Sequence, residues 1–296
     1  MNLGFLSAGL LTGLREGVEA ALIVSIVLAY LARTGNGRHF GKIWLGVAAA
    51  AGVSLLVGVV LFATIGELTK PAEQIFEGVA MVVAAVVVTW MLFWMRRQAA
   101  GVRNELHASV DRVLTGGTLW GLTLLAFTAV IREGIETSLF LLGQTQAAAR
   151  AEGGATSTLV GAVIGLVIAA VIGYGFYRGA RVINLRTFFQ WTGVALIFIA
   201  AGLLSHAIHE FVEVAAFYGS QLPLSATAFD LSAFLPHEGN FVGEMLRAIF
   251  GYTATPEWLT LLGWAGYLGI VLTMYLRPLP PQAPAARPVE GRPAGT

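Results

Sequence analysis

The chain has 296 residues, 56% of them apolar and 12% charged, with a net charge of +1. A soluble domain carries roughly 25% charged residues, so this composition excludes one and fits an all-α polytopic membrane protein. The near-neutral charge and the lack of any basic arm exclude nucleic acid as a partner. Cysteine is absent, which removes disulfides, thiolate ligands and cysteine nucleophiles and leaves oxygen and nitrogen to hold a metal.

Apolar runs reach the ~20 residues that cross a hydrocarbon core seven times. The spans are predicted at about 5–32, 42–65, 72–95, 118–146, 157–178, 187–212 and 258–276. Met1–Gly4 has no Lys or Arg, so it lacks the basic start of a secretory signal and the first span is expected to stay in the mature protein. That span carries Arg15-Glu16-Gly17-Val18-Glu19, and the fourth carries Arg132-Glu133-Gly134-Ile135-Glu136. Glu73 and Glu77 open the third span, and an Arg-rich amphipathic segment, 96–117, follows it. The sixth span ends in His206, His209, Glu210 and Glu213; the segment to 257 adds Asp230, His237, Glu238 and Glu244. Pro-rich sequence after residue 276 is predicted to be a disordered tail, leaving 1–276 as one permease-sized domain.

Thirteen Lys and Arg residues follow the odd-numbered spans: Arg33, Arg38, Lys42, Arg96, Arg97, Arg103, Arg112, Arg178, Arg181, Arg186, Arg277, Arg287 and Arg292. The other side receives Lys70, Arg150 and Arg247. The positive-inside rule then predicts an external N-terminus and a cytoplasmic C-terminus. Trp44, Trp94 and Trp258 read as interface anchors, and the arginines after the third span as retention charges near anionic headgroups.

The chain also repeats. The pentapeptides lie 117 residues apart, while Gly46, Gly58 and Gly78 match Gly161, Gly173 and Gly193 at a separation of 115. Two three-span units, about 5–95 and 118–212, are predicted. An odd number of spans turns the second unit upside down, as in many secondary transporters, whose substrates bind near the midplane at the repeat interface.

On a helix, Glu16 and Glu19 project from one face with Arg15 beside Glu19 at i, i+4; Glu133, Glu136 and Arg132 repeat the pattern. Gly17 and Gly134 permit close helix approach. Buried charge in a membrane is expensive and marks function by default. A structural lock between each arginine and its own glutamates would not need the surplus carboxylate. Inverted repeats bring the four carboxylates around one passage, where oxygen ligands of high charge favour hard cations, a trivalent ion such as ferric iron most of all.

Two Arg-Glu-Gly-x-Glu motifs in the first and fourth of seven spans resemble the high-affinity iron permease family, the oxidase-dependent iron transporters of fungi and bacteria. Further matches are Ala201–Glu210, with Ser205-His206-Ala207-Ile208-His209, and Phe250-Gly251-Tyr252 followed by Pro256. The resemblance implies that Glu16, Glu19, Glu133 and Glu136 translocate ferric iron, with Arg15 and Arg132 as motif cations. It implies iron as transported substrate with no permanently bound cofactor. It also implies residence in the cell membrane, the inner one in a Gram-negative cell, and an external protein that oxidises or delivers iron. From the residues alone, lead or manganese would be served by the same carboxylates. A membrane enzyme or scaffold is the other alternative, and it lacks an organised nucleophile.

Glu73 and Glu77 fit two readings equally, an outer site that collects metal and a solvated helix start where the dipole favours acidic residues; Thr192 replaces Glu77 in the second repeat. His206, His209 and Glu210 can place two imidazoles and a carboxylate on one ion, in a spacing that is not the zinc-protease motif; the simpler reading of each is an interfacial helix end with polar residues in water.

Overall fold

The computed structural model describes residues 2–65, 70–98, 102–116, 120–149, 151–179, 184–220, 222–236 and 240–277. The predicted tail from Pro278, with Arg287 and Arg292, lies outside these residues, as do Arg150, Arg181, His237, Glu238 and the side chains of Arg97, Arg103 and Arg186. The described chain is helical: α1 Leu3–Arg33, α2 Phe40–Ile65, α3 Ala72–Gln98, α4 Val102–Gly116, α5 Trp120–Ala147, α6 Gly154–Tyr177, α7 Leu185–Phe217, α8 Phe241–Phe250 and α9 Trp258–Leu276. No strand occurs among the described residues; one isolated bridge joins Thr227 to Glu257.

Local sequence sets the helix starts. Asn2, Asn184 and Asn240 each accept backbone N–H groups from the first turn of α1, α7 and α8, satisfying donors that a helix leaves open. Gly251, with φ +69°, ends α8, and its bare Cα packs against Gly202 of α7. A side chain at either glycine would collide with backbone there.

α2, α3, α6, α7 and α9 are long and apolar enough to cross a membrane. Leu55, Val171, Trp191 and Ile270, all more than 60% exposed, face outward, as apolar residues do where the solvent is lipid. The protein is a multi-pass membrane protein.

α1 packs closely on α6, and α2 on α5. Without a hydrophobic driving force, close packing through small residues holds membrane helices together, and α1 lies in parallel contact with α6 through Gly9, Gly13 and Gly17 against Thr158, Ala162 and Ala169. A Cβ on Gly161 would meet the Leu6 carbonyl and Leu10 nitrogen; one on Gly46 would meet the Thr123 carbonyl and Phe127 nitrogen. Gly17 approaches Ala169 and Gly134 approaches Ser54; Gly173 approaches Ala21 and Gly58 approaches Ser138. The contacts of Gly161, Gly17 and Gly173 become those of Gly46, Gly134 and Gly58 when α1 and α5 are exchanged by 117 residues and α2 and α6 by 115.

Gly161→Ala and Gly46→Ala are therefore expected to destabilise the protein by similar amounts, about 1–3 kcal/mol each, since the added carbon meets backbone that cannot rotate away. Gly52, with nothing within 4 Å of its would-be Cβ, is the control: Gly52→Ala should leave thermal unfolding of the detergent-solubilised chain unchanged or slightly raised, since alanine favours a helix interior over glycine.

Two apolar cores result. Met81, Ala84, Val88 and Leu92 of α3 pack with Leu196, Ala200 and Leu203 of α7 and Leu268, Val271 and Tyr275 of α9. The second core joins Val27, Leu28 and Leu31 of α1 to Ile43, Val110, Leu122 and Ala126 at the Arg-rich end of the bundle. The segment 96–117 contributes to this core through α4, whose His107 stacks on Tyr30 while the Tyr30 hydroxyl donates to Asp111. Arg96 has a protein partner besides any headgroup: it donates to the carbonyls of Tyr275 and Arg277 at the end of α9, where a cation complements the helix dipole.

Candidate metal centre

The two motif pentapeptides meet inside the bundle, where α1 and α5 run antiparallel. Glu16, Glu19 and Glu133 each offer an oxygen within 4.8 Å of the others, and all three are buried. Glu136, also buried, lies within electrostatic reach of Glu16 and Glu19. The motif glycines explain the approach: Gly17 and Gly134 let α6 and α2 close on the outer sides of the motif helices.

The arginines are not equivalent. Arg15 is 2% exposed and grips both of its glutamates, Nη1 at 2.5 Å from Glu16 and Nη2 at 3.1 Å from Glu19. Its other contacts are the sulfurs of Met91 and Met95 on α3, at 3.4 and 3.1 Å. Arg132 is one-third exposed, reaches only Glu136 at 2.9 Å, and stacks its guanidinium 3.8 Å from the Trp94 ring centroid. Trp94 is therefore a partner for the motif cation as well as an aromatic near a span end. Glu133 pairs with neither arginine among the described residues, and Glu16 Oε2, Glu133 Oε2 and Glu136 Oε2 accept no hydrogen bond. Buried acceptors left open are costly, and four carboxylates against two guanidiniums leave an excess of negative charge that a cation would neutralise.

A cavity of about 430 Å³ opens at the other end from the Arg-rich one. Glu73, Glu77, His206, His209 and Glu210 all line it, so two stretches separate in sequence share one vestibule. At its wall His209 sits between Glu213, 3.2 Å from Nε2, and Glu257, 3.1 Å from Nδ1. Gln74 donates to Glu213 and Thr260 to Glu257. His206 Nδ1 lies 2.8 Å from the Gly202 carbonyl, leaving Nε2 as the nitrogen turned from its own backbone. The 115-residue shift carries Met91, Trp94 and Met95, which hold the arginines, onto His206, His209 and Glu210. One set of positions is thus apolar at the Arg-rich end and carries two imidazoles and a carboxylate at the vestibule end. Asp230 and Glu244 are not among the vestibule's lining residues; Asp230 is fixed by Ser232, whose N–H and hydroxyl hold its carboxyl below the ordinary value.

Glu257 was not legible as a site residue. It is the acidic residue just before α9, a position that helix-dipole arguments explain by themselves, and only the fold brings it to His209. Met91 and Met95, apolar residues in an apolar helix, carry no signal at all in sequence.

The model of the iron permease FTR1 family matches residues 6–278. The chain belongs to that family. Among its relatives, the ferrous iron permease EfeU of Escherichia coli O6:H1 is 40% identical over 274 residues, which cover 92% of this chain and 95% of the relative. The ferrous iron permease EfeU of Yersinia pestis is 36% identical over 273 residues, covering 92% and 93%. No solved structure matches. The family match takes in both motif helices, the vestibule and α9.

Proposed function

We propose that this chain is a permease that moves iron across the cell membrane into the cytoplasm, the ion passing between the two motif helices. The observation that carries the reading is the buried cluster of Glu16, Glu19 and Glu133, with oxygens within 4.8 Å of one another and motif carboxylate oxygens that accept no hydrogen bond. Family membership supports iron as the ion, and the clustered carboxylates support this as the place that holds it. We read the site as a transport pathway, in keeping with relatives that are named permeases.

Seven spans follow if α1 and α5 cross as well. At 1.5 Å per residue their 31 and 28 residues reach beyond 40 Å, and they run parallel with the apolar spans α6 and α2 for most of that length. The motif charges that set them apart from the other five helices are the transport ligands themselves. The exchangeable contacts of the two halves support an inverted repeat, and the arginine distribution supports an external vestibule and a cytoplasmic α4. In a Gram-negative cell the membrane is the inner one. Glu73, Glu77, His206, His209 and Glu210 then form an outer collecting site, and a protein that oxidises or delivers iron would release it there.

We take the transported ion as ferric, because a hard trivalent cation gains most from oxygen ligands of high charge. Ferrous iron is a second reading, favoured by the names of the relatives and by the charge count: four carboxylates and two guanidiniums sum to a charge that a divalent ion neutralises. Uptake of radiolabelled iron from ferric citrate and from ascorbate-reduced iron, with lead and manganese as competitors, separates these. The ferric reading expects faster uptake from ferric citrate; faster uptake only with ascorbate favours ferrous iron, and full competition by manganese removes iron selectivity.

The vestibule carries its own prediction. Glu257→Gln removes one of the two carboxylates beside His209 and should raise the half-saturating iron concentration about threefold, the scale of a partly exposed charge contact of under 1 kcal/mol. The maximal rate should stay the same. Concentration-dependent uptake measures both.

A further inference from the structure

Between the vestibule and the carboxylates lies a polar pair that no transport role has so far absorbed. Gln144 of α5 is 5% exposed. Its Nε2 donates to Thr12 Oγ1 on α1 at 2.7 Å, and its Oε1 accepts no hydrogen bond. Thr12, fully buried, is one helical turn before Glu16, about 6 Å along the axis. On the other side Gln146 and Ala147, two and three residues after Gln144, line the vestibule. The bridge therefore stands where an ion leaving the vestibule approaches the carboxylate cluster.

A buried amide oxygen without a partner is a standing cost, and the repeat shows that the fold does not require it. Exchange by 117 residues carries Thr12 onto Ala129 and Gln144 onto Val27. Val27 is 2% exposed in the apolar core with Leu31 and Leu122 at the Arg-rich end. The same two-helix crossing is thus packed with hydrocarbon on one side of the carboxylates and holds an open amide oxygen on the other. A polar link needed only to fasten α1 to α5 would have no reason to leave an acceptor empty.

We propose that Gln144 and Thr12 form an entry subsite, in which an iron ion exchanges part of its water shell for the amide and hydroxyl oxygens before passing to Glu16 and Glu133. This rests on the carboxylate pathway proposed above. Neutral oxygens suit the step: they replace water without the charge that would hold the ion, so transfer to the carboxylates runs downhill. The closed hydrogen bond between the two side chains is the resting arrangement, and the ion breaks it by taking Oε1 and Oγ1 as ligands.

The test is radiolabelled iron uptake against concentration in cells lacking their own high-affinity uptake, at equal membrane abundance. Wild type is compared with Gln144→Leu, Thr12→Val, Gln144→Glu and Glu16→Gln. Gln144→Leu and Thr12→Val should raise the half-saturating concentration about tenfold with much smaller loss of maximal rate. Gln144→Glu should lower both, because a carboxylate turns the relay into a trap. A purely structural pair gives the opposite pattern, with unchanged half-saturation and losses that follow abundance. If Gln144→Leu fails to reach the membrane, Thr12→Val and Gln144→Glu carry the comparison. Half-saturation within twofold of wild type in those variants, while Glu16→Gln abolishes uptake, overturns the subsite and leaves the pathway standing. Normal uptake by Glu16→Gln overturns both.

Discussion

Arg15→Met is expected to destabilise the protein by about 3–5 kcal/mol, the scale of removing one partner from a buried ion pair. The methionine fills the space beside Met91 and Met95 acceptably, so lost packing is minor. The damage is electrostatic: Glu16 and Glu19, both buried, lose the guanidinium that grips both of them. Arg132→Met should cost far less, about 1 kcal/mol or below, since that side chain is one-third exposed and holds a single carboxylate. Two copies of one pentapeptide thus differ in structural weight. Thermal unfolding of the detergent-solubilised chain reads the difference. Adding Glu19→Gln to Arg15→Met should recover part of the loss, and a lack of recovery would place the cost elsewhere than in the stranded carboxylate.

Glu133→Gln should do the reverse to stability and the worst to transport. Glu133 is buried, unpaired with either arginine among the described residues, and has an oxygen that accepts nothing. Replacing its charge with a neutral amide of the same shape should stabilise the protein by roughly 1–3 kcal/mol, the scale of an unsatisfied buried group. Iron uptake should fall at least about a hundredfold, because the ion loses the ligand with the greatest surplus of charge, a difference of some 3 kcal/mol. Gain of stability with loss of function is the mark of a group kept for its ligand. A variant both less stable and still active would show Glu133 to be a structural residue.

These contrasts explain what the sequence could and could not reveal. The seven apolar runs fall on α1, α2, α3, α5, α6, α7 and α9, and five of these helices, α2, α3, α6, α7 and α9, are long and apolar enough to cross a membrane, because hydrocarbon imposes length and composition on any helix that crosses it. The motif stood out for the same reason: charge is conspicuous where it is expensive. The unequal arginines were invisible, since Met91, Met95 and Trp94 reach them from another helix and no local pattern announces such contacts. α4 read as amphipathic, yet its packing under Tyr30 depends on where α1 ends. α8 is ten residues long, too short to cross and too short for periodicity to distinguish. The vestibule was half legible: the acidic pair of α3 and the histidines of α7 each suggested metal, but their meeting in one cavity, with Glu257 beside them, is a property of the tertiary fold. Gln144 was a polar residue near a span end, and only its open oxygen and the valine at its repeat mate set it apart.

The central claim is that one iron pathway runs through the carboxylates of both motifs. Radiolabelled iron accumulation in cells without their own high-affinity uptake tests it most directly, with Glu16→Gln, Glu19→Gln, Glu133→Gln and Glu136→Gln compared with wild type at equal membrane abundance. The expected result is loss of uptake in every variant, from either half of the repeat. Normal accumulation by all four would contradict it.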